Sequence, residues 1–208
     1  MDADTLIRER TGGRRSLDDF ARAFFGVYDG SHRADTYTFE DVVGALNGVV
    51  PYDWAGFLRA RLEGHGPGAP LDGLTRGGYR LAYTDQETPY QKSVEELRHV
   101  TDLTFSIGLV VGKEGVLSDV LWDGPAFKAG LAEGTTLVAV DGEAYDAEGL
   151  KQAVRLAQGG STPIELLVKS KDSFRTVRID YHGGLRYPHL QRTAATAASL
   201  DAILTPRR

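Results

Sequence analysis

The chain has 208 residues, and its hydrophobic content of 41% and charged content of 25% are typical of a globular protein and exclude a disordered or fibrous chain. A net charge of −5, without a basic stripe, excludes the electrostatic footprint of a nucleic-acid-binding protein. The absence of cysteine excludes disulfides, thiol nucleophiles and cysteine-ligated metals.

The chain shows neither a membrane-spanning segment nor a secretory signal. It has no run of about 18 apolar residues, so we predict no membrane partner. The polar start Met1-Asp2-Ala3-Asp4 differs from the basic-then-apolar layout of a signal peptide. We therefore expect either a cytosolic protein or a piece cut from a longer exported one, with two modest domains rather than one.

The first hundred residues follow the three-and-four spacing of helices. An early helix is predicted to end at Gly12-Gly13. Two more are predicted after Ser16 and Thr38, each followed three positions later by aspartate as in a capping box. A fourth should follow Pro51. The apolar residues expected to face the core are Leu17, Phe20, Ala21, Phe24, Phe25, Tyr28, Phe39, Val42, Val43, Leu46, Trp54, Phe57, Leu58 and Leu62.

The end of this block is rich in glycine. Residues 64–78 contain six glycines and two prolines, which predicts an irregular surface loop. A short strand is predicted at 79–83 and a helix at 89–99. Residues 100–103 are predicted to form the linker between two domains.

The second half changes to the alternation of strands, with a turn signal between most of them. Asp141-Gly142 is the strongest hairpin signal of the chain, and Asp146 is placed to cap a long helix that Gly159-Gly160 ends. The strands are predicted at 104–111, 116–122, 136–140, 163–169 and 174–181, with one helical turn at 125–130.

Three motifs of this half match the order of motifs in PDZ domains. They are Ser-Ile-Gly-Leu at 106–109, Gly-Pro-Ala-Phe-Lys-Ala-Gly at 124–130 and Leu-Val-Ala-Val-Asp-Gly at 137–142. Residues 105–182 therefore resemble a PDZ module, with the element order found in bacterial proteins. The predicted fold class is α+β, in which a mainly helical N-terminal lobe is followed by a PDZ-like, partly open β-barrel or sheet with two helices.

PDZ domains bind an extended peptide as an added strand and cleave nothing. The resemblance places the peptide between the strand at 107–111 and the helix at 147–158, with its terminal carboxylate on the amides around Gly108. Lys151 would favour acidic peptides. The predicted peptide-binding residues are Ile107, Gly108, Leu109, Val110, Val111, Ala147, Lys151 and Val154, while Leu150, Ala153 and Ala157 are predicted to turn inward.

Two interpretations of this module stay open at this point. The groove could bind a partner's peptide or protein C-terminus. It could instead be filled by another part of the same chain, so that the module acts only as a spacer, because a fold does not establish a function.

The chain offers no compact metal site in its sequence. None of its five histidines lies three to five residues from another, and no His-Glu-x-x-His motif is present. We predict that this chain contains no catalytic residue, no metal ligand and no cofactor, and that it is not an enzyme by itself.

Four segments carry a wider resemblance. Residues 11–20, 37–43, 51–54 and 181–190 look like the C-terminal part of the glycyl aminopeptidase family of zinc metallopeptidases, whose members end in a PDZ domain. The resemblance implies a helical lobe at 1–100, a PDZ domain at 101–184 and a tail at 185–208. It also implies a periplasmic or secreted parent whose zinc-binding catalytic domain precedes these residues. That domain is absent from this sequence, so no catalytic residue can be carried over.

The leading hypothesis is therefore a noncatalytic C-terminal portion of a zinc-dependent aminopeptidase. Its PDZ module would bind a peptide or protein C-terminus, or would pack against the parent's own catalytic domain. The alternative is a free-standing PDZ adaptor that binds C-terminal peptides. Without its neighbour the helical lobe would expose an apolar face, which would also be available for a homodimer.

Overall fold

The computed structural model describes residues 1–28, 30–32, 34–66, 68–193 and 199–206. The chain forms two compact units, a helical unit (Met1–Leu81 with Leu190–Arg208) and a sheet unit (Ala82–His189). It therefore passes between units at 81/82 and 189/190, whereas the domain limits predicted from the sequence are 100/101 and 184/185. The combination of helices with open sheets that do not close into a barrel confirms the α+β class.

The helices in chain order are α1 (Asp2–Thr11), α2 (Leu17–Phe25), α3 (Phe39–Val49), α4 (Trp54–Leu62), α5 (Asp72–Arg76), α6 (Pro89–Arg98), α7 (Pro125–Lys128), α8 (Ala147–Leu156) and α9 (Ser199–Leu204). The strands are β1 (Tyr79–Thr84), β2 (Thr101–Leu103), β3 (Leu109–Val111), β4 (Leu117–Val120), β5 (Thr136–Val140), β6 (Glu143–Ala144), β7 (Ile164–Ser170), β8 (Ser173–Ile179) and β9 (Tyr187–Arg192). None of the helices described is long and apolar enough to cross a membrane.

Local signals in the sequence fix the helices of the helical unit. Ser16 and Thr38 each form the predicted capping box with an aspartate three residues later, and Gly12 ends α1 in the left-handed conformation. Asp53 caps α4, which starts three residues after Pro51. The core of the unit comprises Leu6, Ile7, Leu46, Val49, Val50 and Trp54.

Three apolar residues predicted to face this core are exposed instead. Phe25 is adjacent to Phe24, so the two cannot share one helix face, and Phe25 contacts the rings of Phe20 and Phe24 edge-on. Leu62 is 75% exposed because it ends α4, one turn beyond Leu58. Tyr28 follows the end of α2 and is also exposed.

The prediction of an irregular loop over 64–78 was wrong at its end, where α5 forms. Asp2 binds the guanidinium groups of Arg61 and Arg76, which fastens this five-residue helix to α1. A Cβ at Gly73 would lie 2.9 Å from the Asp2 Cα, so glycine permits the close approach of the two helices. Tertiary contacts therefore stabilise a helix that glycine-rich composition disfavours.

The segment at 185–208, predicted as a tail, also contains regular structure, apart from residues 194–198, 207 and 208, which lie outside the described residues. β9 pairs with β1 in a two-stranded sheet. In α9, Asp201 accepts a hydrogen bond from the Tyr79 hydroxyl at 2.6 Å and Leu200 is buried.

The sheet unit contains two open sheets, with strand orders β2-β3-β4 and β6-β5-β7-β8. β5 has the predicted bounds, the Asp141-Gly142 turn joins it to β6 with both residues at positive φ, and β7 and β8 form the predicted hairpin. Asp146 caps α8 through its bond from the Gly149 amide. These elements enclose one apolar core in which Leu109, Leu150 and Leu166 are fully buried.

The structure corrects the sequence prediction just before this core. Residues 100–103 were predicted to be a linker and 104–111 a single strand. The chain instead forms β2, reverses direction over 104–108 and continues as β3. Gly108 makes the reversal possible, since it has a φ of 76° and lies against Leu121 and Gly124.

Asp4 connects α1 to α2. Its Oδ1 accepts hydrogen bonds from the Leu17 backbone amide at 2.8 Å and from Arg8 Nε at 3.2 Å, and the residue is only 7% exposed. Removal of this buried carboxylate would leave both donors without a hydrogen-bond partner.

The substitution Asp4→Ala should therefore lower the free energy of unfolding of the helical unit by about 1–3 kcal/mol. Urea unfolding followed by tryptophan fluorescence measures this unit, because Trp54 is fully buried there while Trp122 of the sheet unit is largely exposed. Glu9→Ala, at an exposed position of the same helix, is the matched control. Equal losses in the two variants would contradict the assignment.

Candidate peptide-binding groove

The predicted peptide-binding strand, β3, is paired along both of its edges. On one edge β2 runs antiparallel to it, with Thr101 opposite Val111, Asp102 opposite Val110 and Leu103 opposite Leu109. On the other edge β4 pairs with it across a bulge. The edge to which a peptide would be added is therefore held by three residues of the same chain.

Two backbone amides converge on one oxygen at the start of β3. The N–H groups of Ser106 and Gly108 both donate to the carbonyl oxygen of Leu103, each at 3.0 Å. Gly108 is one of the residues predicted to receive a peptide carboxylate, whereas Ser106 was not predicted. The carbonyl groups on either side of the Gly108 amide are occupied, since Ile107 accepts from Ala126 at 2.9 Å and Gly108 accepts from Leu121 at 3.0 Å.

Only some of the predicted peptide-binding residues line a common cavity. A cavity of about 450 Å³ is lined by Ala147 and Lys151 of α8, Val111 of β3, Thr101 of β2 and Tyr145. Val154 does not line it and is fully buried in the core, together with the predicted inward residues Leu150, Ala153 and Ala157. Ile107, Gly108 and Leu109 are also buried outside this cavity. The eight residues remain a predicted peptide site.

Lys151 is buried and carries its own counter-ions. Its Nζ donates to Glu87 Oε1 at 2.5 Å and to Glu95 Oε2 at 2.9 Å, and the residue is 5% exposed. The second oxygen of Glu95 accepts the backbone N–H of Asp102 at 3.0 Å. Glu95 therefore links α8 to the backbone of β2, and the charge that was predicted to attract acidic peptides is neutralised within the chain.

The protonation equilibria reflect this arrangement. Burial lowers the pKa of Lys151, but the hydrogen bonds that it donates to Glu87 and Glu95 outweigh this effect, so the pKa is raised overall. Burial raises the pKa of Glu87, and the bond from Lys151 reverses this into a net decrease. Burial, with the nearby Glu87 carboxylate, raises the pKa of Tyr187. All three groups therefore keep their usual protonation state near neutral pH.

Sequence reasoning missed Glu87, Glu95 and Leu103 as parts of this site. Glu87 and Glu95 are 64 and 56 positions from Lys151, and no periodic pattern signals such a contact. Leu103 precedes the mixed segment Thr-Phe-Ser-Ile-Gly, which carries no clear turn signal apart from Gly108.

No cluster of three or more His, Asp or Glu side chains with metal-binding geometry is present in the part of the chain that the structure describes. The zinc implied by the sequence resemblance was expected in the upstream domain of the parent, not in these residues.

The sequence matches no family model and no curated protein. Among solved structures, an aminopeptidase N family protein from Idiomarina loihiensis superposes on 99% of this chain with a TM-score of 0.59 and 15% identity, which shows a shared fold. This chain spans 34% of that protein. The HtrA3 PDZ domain, solved with the phage-derived ligand FGRWV, aligns with 54% of this chain and 92% of its own length at 18% identity, but its TM-score of 0.28 is too low to indicate a shared fold.

Removal of the buried ammonium should destabilise the sheet unit. The substitution Lys151→Met leaves Glu87 and Glu95 without their cation, and breaking a buried ion pair in this way reduces stability by about 3–5 kcal/mol. The measurement is urea unfolding followed on the amide NMR signals of β7 and β8. Lys113→Met, at an exposed position of the same unit, is the control and should change little. A loss of similar size in both variants would show that the cluster contributes nothing specific.

The same cluster predicts how stability depends on pH. The pKa of Glu87 is lowered by folding, so its contribution is present above the usual value of 4.5 and is lost as the pH falls through the folded-state value. The pKa of Lys151 is raised, so its contribution is present below 10.5 and is lost as the pH rises through the folded-state value.

We therefore expect Glu87→Gln to flatten the acid-side decrease in stability of the sheet unit below pH 4.5, because this variant no longer takes up that proton on unfolding. Unfolding curves at several pH values compare it with the unaltered chain. Parallel profiles for the two proteins would exclude a role for Glu87 in the acid transition.

Proposed function

We propose that this chain is a noncatalytic portion of a zinc-dependent aminopeptidase, and that its sheet unit is a PDZ-like module for a peptide or protein C-terminus. The observation that carries the proposal is a likeness that extends through both units, over 99% of the chain, to an aminopeptidase N family protein. A likeness confined to the sheet unit would favour an isolated module. The combination of a helical unit with a PDZ-like unit instead favours a larger enzyme.

The geometry of the sheet unit supports the peptide-binding part of the proposal. One edge of β3 pairs with a three-residue strand, two amides beside it donate to a single oxygen, and α8 lines a neighbouring cavity. These are the elements that recognition by strand addition requires.

The helical unit supports the part that concerns a longer protein. Phe25, Tyr28 and Tyr37 are exposed to 73%, 67% and 65%, and Val27 beside them is also exposed. These side chains line one cavity, and exposed apolar groups that cluster in this way mark surfaces that another protein part covers. The covering part in this proposal is the catalytic domain, which would also supply the zinc ligands.

A hydrolysis assay tests the proposal that this chain is noncatalytic. The purified chain should not hydrolyse amino-terminal glycine substrates, with or without added zinc, because the described residues offer no ligand cluster for the ion. Hydrolysis that is lost on chelation and restored by zinc would contradict the noncatalytic assignment.

The coding sequence tests whether this chain is part of a longer aminopeptidase. We expect the reading frame upstream of the Met1 codon to encode a His-Glu-x-x-His motif. A stop codon immediately upstream, combined with peptide binding by the chain, would replace the aminopeptidase assignment with that of a free-standing PDZ adaptor.

A further inference from the structure

We infer that residues 101–103 are a built-in ligand of the groove, and that the groove accepts a free C-terminal peptide of the same chemistry only when this segment leaves it. The inference rests on the proposed peptide-binding function of the sheet unit. It adds to that function the class of peptide and the contact that controls access.

The backbone of β2 takes the place of an added strand. Its three residues pair antiparallel with β3, while β4 holds the opposite edge. A strand binds through N–H and C=O groups that are unpaired before binding. These groups are already paired at both edges of β3, so a peptide can enter only by replacing β2.

Leu103 is the residue of this segment that resembles a peptide terminus. Its carbonyl oxygen receives the N–H groups of Ser106 and Gly108, and its side chain is 1% exposed within the apolar core. A terminal carboxylate is a stronger acceptor than a carbonyl for the same two amides, because it carries a charge. The site is therefore suited to a free carboxylate attached to an aliphatic residue of the size of leucine.

The two preceding residues define the rest of the peptide. Thr101 is 5% exposed and lines the same cavity as Tyr145, so this position favours a small polar residue. Asp102 is only half-buried, and it is held through its backbone N–H rather than through its place in the core. The expected ligand is a peptide whose last three residues are threonine or serine, a polar residue and, at the carboxyl terminus, leucine.

Glu95 holds this segment in place. It accepts the Asp102 N–H on one oxygen and the Lys151 ammonium on the other, which fixes β2 on the side away from β3. Because β2 is joined to β3 by only five residues, its effective concentration at the groove is in the millimolar range or above. A free peptide then binds with an apparent affinity equal to its intrinsic affinity multiplied by the fraction of molecules in which the groove is open.

The test uses the peptide acetyl-His-Val-Thr-Asp-Leu, which copies residues 99–103, and follows the amide NMR signals of Ser106 and Gly108. The substitution Leu103→Ala weakens the built-in segment without altering the amides, so it should bind the peptide at least about tenfold more tightly than the unaltered chain does. The same peptide with a C-terminal carboxamide should bind more weakly to the variant. Equal affinities of the variant and the unaltered chain, or signal changes away from β3, would overturn the inference.

A second pair of variants keeps the test decisive if Leu103→Ala does not fold. Leu103→Val is a smaller change confined to the built-in segment, leaving Glu95 and the groove intact, and it should also tighten binding of the free peptide, which keeps its own leucine. Because the chain has no cysteine, Asp102→Cys with Val110→Cys can be added to either variant to lock β2 onto β3. The Asp102 N–H donates to Glu95 and not to β3, so Asp102 and Val110 form a non-hydrogen-bonded pair. The Cα atoms of such a pair are close enough for a disulfide.

The locked chain should bind no peptide when oxidised and should recover binding when reduced. Binding that is unaffected by the disulfide would overturn the inference, as would a folded, reduced variant that binds no peptide. Neither result would bear on the aminopeptidase assignment, which the upstream reading frame and the hydrolysis assay test separately.

Discussion

The amides of Ser106 and Gly108 donate to a single oxygen, the carbonyl of Leu103, and this pair of bonds turns the chain back so that β2 lies along β3. Much of the sheet unit depends on this turn. It satisfies the exposed edge of β3, which otherwise would present unpaired backbone groups to any passing strand. It also brings Leu103 into the apolar core. This edge of β3 is thereby closed by the chain that forms it.

A buried charge reinforces this closure. Lys151 on α8 requires counter-ions because an unpaired ammonium is unfavourable in the interior, and the segment before β2 supplies them as Glu87 and Glu95. Glu95 also receives the Asp102 amide. The Glu95 carboxylate therefore connects α8 to β2. This explains why the segment around β2 belongs to the sheet unit and is not a linker.

The sequence predicted those parts of the fold that depend on neighbouring residues. Capping at Ser16 and Asp146, and the strand before the Asp141-Gly142 turn, follow from local hydrogen-bonding chemistry and were confirmed. β2 and α5 could not be predicted in this way. β2 is too short to show a period, and it is held by a side-chain contact with Glu95 that no pattern signals. α5 lies in a glycine-rich segment and is held by Asp2, which is distant in the sequence. β3 and α8, between which the peptide was predicted to lie, are both present, while the pairing of β2 with β3 was not predicted.

The closed state of the groove is accessible to one measurement on the unaltered chain without any ligand. Native-state hydrogen exchange of the Ser106, Gly108 and Asp102 amides reports directly on whether Leu103 and Glu95 hold their partners. The account predicts that all three amides are protected, and that they exchange together, because release of β2 frees them in one step. Rapid exchange of Ser106 and Gly108, in a chain whose β7 and β8 amides stay protected, would show an open groove and contradict it.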